Sequence, residues 1–262
     1  MATTVAKISW TETEHEIAGI KVQLKRAGKG APVLVLHHDF GMPQQSPFLD
    51  ALAAKYDVIV PNHPGWGQSQ RPEWMRSVRD VAVMYRTLLL QLGVQKASLV
   101  GLGFGGWIAA ELLTFASNDV GRVVLVGSMG VKPAEGYILD QAIVSYIDYA
   151  RAAFHEEKAF TACYGDVSTD QLEAWDIARE MCFRIAWKPY MYSQTLPHLL
   201  RSMTAPTLLV WGEHDQIVPR SSAEGFKKAL PNAKLEIVKG SGHAVALEKP
   251  AELAGLVSGF IG

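Results

Sequence analysis

The chain has 262 residues, 48% of them apolar and 19% charged, with a net charge of −1 and a pI near 6.7. That balance belongs to a core-building globular chain of one large or two small domains and excludes a disordered, collagen-like or coiled-coil protein. A nearly neutral chain also carries no electrostatic footprint for nucleic acid or for an anionic membrane surface.

The two cysteines, Cys163 and Cys182, are too few and too far apart for a disulfide framework or a Cys-x-x-Cys site, which points to free thiols in a reducing compartment. Residues 1–10 lack the basic-then-apolar pattern of a leader, and no stretch is long and apolar enough to span a bilayer. The expectation is a soluble cytoplasmic protein with a small-molecule substrate, no nucleic-acid or membrane partner, and a homodimer left open.

The first 26 residues read as an antiparallel ribbon, with rough apolar alternation over 16–22. From residue 31 onward, short β-branched runs alternate with helix-length amphipathic segments. The apolar run 32–37 predicts a strand buried on both faces, followed by a helix over 46–55, a strand over 58–60 and a long helix over 77–92. A strand over 97–100 leads through a glycine-rich turn into a helix over 104–116, and strands follow at 122–126 and 206–211. A helix over 222–230, a strand over 234–238 and a helix over 251–260 close the chain. Such alternation demands an α/β architecture, a mostly parallel sheet with helices on both faces.

Residues 131–200 break the alternation: they show helical pattern only, including a capping box at Ser168 and Gln171 that opens a helix running to about residue 187. This stretch holds 11 of the 24 aromatics and six of the eight tyrosines, as a helical cap over an apolar cavity would need. The domain reading is therefore a core of 1–130 and 201–262 with a cap of 131–200.

In a parallel sheet the site lies at the carboxyl ends of the strands. The loops expected at that edge are His37-His38-Asp39-Phe40-Gly41, Asn62-His63-Pro64-Gly65-Trp66-Gly67, Gly101-Leu102-Gly103-Phe104-Gly105-Gly106, Trp211-Gly212-Glu213-His214-Asp215 and Gly240-Ser241-Gly242-His243. Taken in order, the series resembles the α/β-hydrolase fold over essentially the whole chain. The turn at 101–105 stands where that family has its Gly-x-Ser-x-Gly nucleophile elbow, Asp215 where it has its acid, and His243 where it has its histidine.

The resemblance implies an α/β-hydrolase core with a helical lid, no cofactor, and catalysis by His243 oriented by Asp215. Gly103, however, occupies the nucleophile position, and a residue without a side chain forms no covalent intermediate. Glycine relaxes a turn that strains other residues and is expected to leave a small void beside His243. His38 and Asp39 stand where the family has a small residue and an oxyanion-hole backbone donor. A carboxylate there opposes the charge such a hole stabilises, so Asp39 either turns into its own loop or points inward as an acid/base partner of His243. Phe104, whose N–H opens a helix, remains an oxyanion donor. His37, Trp107 and Met129 from the core, with Tyr137, Tyr146, Trp175 and Trp187 from the cap, are expected to line the substrate pocket.

Other motifs carry less. His63 is expected to hold its loop by a hydrogen bond, and His214 to be a loop residue. His37, His38 and Asp39 do not make a metal site by spacing, since neighbours on a strand end point in opposite directions. Gly101-x-Gly103-x-x-Gly106 matches a dinucleotide fingerprint, but on a late strand rather than in the first βαβ unit. The expected function is a hydrolase-superfamily enzyme acting on a small apolar or aromatic substrate, with a His–Asp general base and lyase or cofactor-free oxygenase chemistry also open. Two alternatives stand beside it: an engineered Ser-to-Gly variant of a serine ester or C–C bond hydrolase, and a ligand-binding homologue without turnover.

Overall fold

The computed structural model describes residues 8–262. The leader reading of residues 1–10 therefore falls mostly outside the described residues. Strands β1 (Thr11–Ile17) and β2 (Ile20–Ala27) form the expected ribbon, paired antiparallel with Ile17 opposite Ile20. The two residues between them, Ala18 and Gly19, have φ of 51° and 77°, the positive pair that matches a hairpin turn to strand twist.

The sheet then builds inward. β3 (Pro32–Leu36), α1 (Pro47–Ala53), β4 (Asp57–Pro61), α2 (Val78–Gln91), β5 (Ala97–Leu102), α3 (Phe104–Ala116) and β6 (Val120–Val126) follow in order. Helices α4 (Tyr146–Ala152), α5 (Glu157–Tyr164), α6 (Thr169–Ala186) and α7 (Leu196–Leu200) fill the excursion, before β7 (Thr207–Gly212), α8 (Arg220–Ala229), β8 (Ala233–Val238), α9 (Val245–Glu248) and α10 (Pro250–Ile261). The eight strands run in the order β1-β2-β4-β3-β5-β6-β7-β8, with β3 to β8 parallel and β1 and β2 antiparallel at one edge.

Period-two alternation along the buried strands sorts their side chains into two cores. Val33, Val35, Val58, Val60, Val124, Val126 and Val210 pack beneath α1, α9 and α10, whereas Leu34, Leu36, Ile59, Leu99, Leu125 and Trp211 pack beneath α2, α3 and α8. Capping fixes the helix starts: Ser46 accepts from Leu49 N–H, and Ser77 and Asp80 close a reciprocal capping box on α2. At α6 only one arm of the expected box forms. Ser168 accepts from Gln171 N–H, and Gln171 returns no side-chain bond.

The stretch between β6 and β7 has no core of its own. Tyr149, Phe160, Trp175, Met181, Leu196 and Leu200 belong to the same apolar cluster as α2 and α3. Among the described residues, no helix is long and apolar enough to cross a membrane.

Candidate active site

The turn from β5 into α3 is sharp and takes its central residue into an unusual backbone region. Gly103 sits at φ 53° and ψ −112°, a region few residues with a side chain adopt. Its N–H donates to Val126 C=O (2.8 Å), and its carbonyl accepts from Gly106 and Met129 N–H (3.1 Å each). These bonds hold the turn between two strand ends.

His243, on the loop after β8, faces this turn. Its Nδ1 bonds Asp215 Oδ2 at 2.8 Å, and both side chains are buried. Asp215 is fixed in turn, its Oδ1 accepting from Ile217 N–H (2.9 Å) and Val218 N–H (2.8 Å). Burial opposes a charge on the His243 ring, but Asp215, with Asp39 beyond it, outweighs that penalty and holds the ring above the ordinary histidine range. Nε2 is left without a hydrogen-bond partner in the protein. The fold thus brings His243 and Asp215 into hydrogen-bond contact.

The void expected beside His243 is not present. The imidazole of His38 fills the slot above Gly103: a β-carbon on Gly103 would lie 2.5 Å from His38 Nδ1 and 2.8 Å from His243 Nε2. The His38 ring stacks on Phe40 (centroids 4.6 Å apart) and stands 5.0 Å from the His243 ring. Neither of its nitrogens has a partner, and burial together with the neighbouring His243 and His37 pushes it well below the usual histidine range, so it is neutral.

Asp39 points inward. Its Oδ2 accepts from the Gln141 side-chain amide, its backbone carbonyl accepts from Trp66 Nε1, and Oδ1 is unpartnered. Burial raises its carboxyl above the ordinary range, so it holds a proton to higher pH than an exposed aspartate. The Tyr149 hydroxyl, also buried and without a partner, lies beside it. Of the expected oxyanion donors, Phe104 and Asp39 have N–H groups with no backbone acceptor, while His38 is paired with Gly41 in an isolated bridge; the next N–H groups along α3, of Gly105 and Gly106, are committed to the His37 and Gly103 carbonyls.

A narrow cleft of about 10 Å³ opens onto Asp39, lined by Phe40, Gln141, Tyr146, Tyr149, Trp175 and Arg179. Tyr146 and Trp175 were expected there; five other expected lining residues are elsewhere. His37 turns away from the cleft: its Nδ1–H donates to His38 C=O (2.7 Å) and its Nε2 accepts from His63 N–H (3.0 Å). Trp107 packs in the core and donates from Nε1 to Glu111. Met129 is fully buried behind the elbow, Tyr137 is 71% exposed, and Trp187 is 43% exposed against Phe183 and Tyr190. An aromatic residue in a helical excursion can face either way, and composition does not say which.

His63 holds its loop as expected, with Nε2–H donating to His37 C=O and Nδ1 accepting from Tyr85 Oη–H. His214 is a partly exposed loop residue, stacked on His155. Three site residues carried no usable sequence signal: Gln141 and Tyr149, which reach Asp39 only through the fold, and Gly127. A β-carbon on Gly127, at φ 53°, would meet His243 Nδ1 at 2.9 Å and Asp215 Oδ2 at 3.1 Å. The orienting bond exists because that position is bare.

A parallel sheet with a tight strand-to-helix turn after its third parallel strand, an acid after a late strand and a histidine before the last helices defines an α/β-hydrolase-type core. The chain belongs to the alpha/beta hydrolase family, whose model matches residues 34–256. It is similar to 2-hydroxymuconate semialdehyde hydrolase of Pseudomonas sp. (strain CF600), at 27% identity over 93% of this chain and 91% of that one. A membrane phospholipase A described as a bacterial virulence factor superposes with a TM-score of 0.83 at 22% identity, covering 98% of this chain and 86% of the other. The 2-hydroxy-6-oxo-6-phenylhexa-2,4-dienoate hydrolase of Rhodococcus sp. strain RHA1 does so with a TM-score of 0.77 at 19% identity, covering 97% and 99%.

Proposed function

We propose that this chain is an enzyme of the hydrolase superfamily that works without a covalent intermediate on a small apolar or aromatic substrate. The observation that carries this reading is the free Nε2 of His243, which Asp215 orients and which faces a position bearing no nucleophile. Nε2 removes a proton from water as the water oxygen attacks the substrate carbonyl, and returns it to the leaving group as that bond breaks. Phe104 N–H, at the positive end of α3, stabilises the developing oxyanion. Asp39, once protonated, donates a hydrogen bond rather than repelling that charge.

The aromatic lining of the cleft supports an apolar or ring-bearing substrate, as do the aromatic or dienoate substrates named for the relatives. At about 10 Å³, room for about one water molecule, the cleft is far smaller than an ordinary ligand pocket. The segment between β6 and β7 acts as a lid that moves to admit the substrate. Gly103 is a native feature in this reading, because the His38 ring occupies the space a serine would need.

The test is turnover of aryl esters and of dienoate ring-fission products, with pre-steady-state kinetics and intact mass measurement. The expected result is turnover with no burst and no acyl adduct, falling about 100-fold or more in His243→Ala. Turnover unchanged in that variant, or an acyl-protein in the mass spectrum, overturns the mechanism. Tight ligand binding with no turnover on any substrate favours the receptor reading instead.

A further inference from the structure

Six buried side-chain atoms among the described residues have no hydrogen-bond partner, and four belong to one cluster: both ring nitrogens of His38, Oδ1 of Asp39 and Nε2 of His243. One donor atom from each residue lies within 4.8 Å of the other two, and all three residues are buried. Such atoms are costly to leave unpaired, and native proteins rarely do so without a reason. With neutral imidazoles and an ionised carboxylate each residue offers one lone-pair donor, the second His38 nitrogen keeping its proton, and no Lys or Arg side chain is bonded to any of them.

We propose that His38, Asp39 and His243 form a binding site for one divalent first-row transition ion such as zinc.

Imidazole and carboxylate ligands together suit zinc and its neighbours, and three protein ligands leave a fourth position open. The outer partners of such a site are present as well. Asp215 holds His243 through Nδ1, which leaves Nε2 as the donor and fixes its direction, the carboxylate–histidine–metal arrangement. Gln141 holds Oδ2 of Asp39, which leaves Oδ1 as the ligand. His38 has no hydrogen bond to lose in turning toward the other two ligands. Donor atoms on one ion stand roughly 3–3.5 Å apart, so closing the site takes side-chain shifts of about 1 Å. Gly103 is needed here too, because a β-carbon would wedge between the two imidazoles.

The binding claim stands on this geometry alone. Its functional consequence rests on the proposed mechanism: an ion that takes the Nε2 lone pair leaves no base, so the ion-loaded and proton-abstracting states exclude one another.

The test is titration of the chelator-treated full chain with Co²⁺, read by its visible ligand-field bands, followed by displacement with Zn²⁺ and metal analysis of the product. The expected result is one ion per chain, with affinity reduced about 100-fold or more in Asp39→Asn and in His38→Ala. Asp215→Asn, which leaves the ligands in place, lowers affinity by about 10–100-fold. The stacked, partly exposed pair His155 and His214 is the competing surface site, and replacing both with alanine leaves the bands unchanged. Absence of bands in the wild-type protein overturns the proposal. So do bands that survive Asp39→Asn in a variant with wild-type thermal melting, or bands that vanish with His155 and His214. No substrate enters this experiment, so its failure is separate from a failure of the mechanism, which turnover of the metal-free protein reads.

Discussion

Gly103 and His38 share one space: the imidazole crowds the point where the first side-chain carbon of any other residue at 103 would be, its Nδ1 2.5 Å from that point. Gly103→Ser alone is therefore expected to destabilise the fold by about 2–4 kcal/mol, from backbone strain at positive φ and from overpacking against the ring. Adding His38→Gly is expected to recover part of that loss, because the two substitutions touch and are not additive. Denaturant midpoints of the two single variants and the double variant read the coupling. A single Gly103→Ser variant as stable as the parent would show that the ring yields freely.

The bond between His243 and Asp215 depends on Gly127, whose missing side chain leaves room for both. Gly127→Ala is expected to lower stability by about 1–3 kcal/mol and to bring the His243 ring down toward the ordinary histidine range as its carboxylate partner is displaced. Nitrogen-15 NMR titration of the imidazole checks this. An unmoved titration would mean the pair adjusts around the methyl group.

Acid is expected to weaken the protein through its buried histidines. Burial lowers His37 to about 4 and His63 well below its usual value, so both stay neutral in the folded chain while the unfolded chain takes up protons below about 6.5. Stability from these groups is full above pH 6.5 and declines as pH falls toward 4, by on the order of 3 kcal/mol for His37. Asp39 and Glu111, raised by burial, bind protons in the folded state first and offset part of the slope. Ring resonances of His37 and His63 that remain neutral at pH 5 while the chain is folded would bear this out; protonation near pH 6.5 would refute it.

Gln141 ties the excursion between β6 and β7 to the strand-end loop through Asp39. Gln141→Leu leaves Oδ2 of a buried carboxyl unpaired, which is expected to cost about 1–3 kcal/mol. The loss should concentrate in the excursion, as faster amide exchange over α4 to α6 with β5 and β6 unchanged. Exchange raised uniformly across the chain would mean the tie supports the whole fold rather than a movable cover.

The sequence by itself determined the architecture. β-branched runs such as 32–37, separated by amphipathic helices, leave only a doubly covered parallel sheet, and strand ends then order Gly103, Asp215 and His243 along one edge. These are local signals, of period, capping and turn chemistry, and each is legible within about ten residues. The contents of the site were not local. Which of seven aromatic or apolar candidates face the cleft, that His38 closes the slot over Gly103, and that Gln141 reaches Asp39 across 102 residues of chain all depend on how separate elements pack. Side-chain direction at a strand end and inside a helical excursion is set by distant neighbours, so only the tertiary structure decided it.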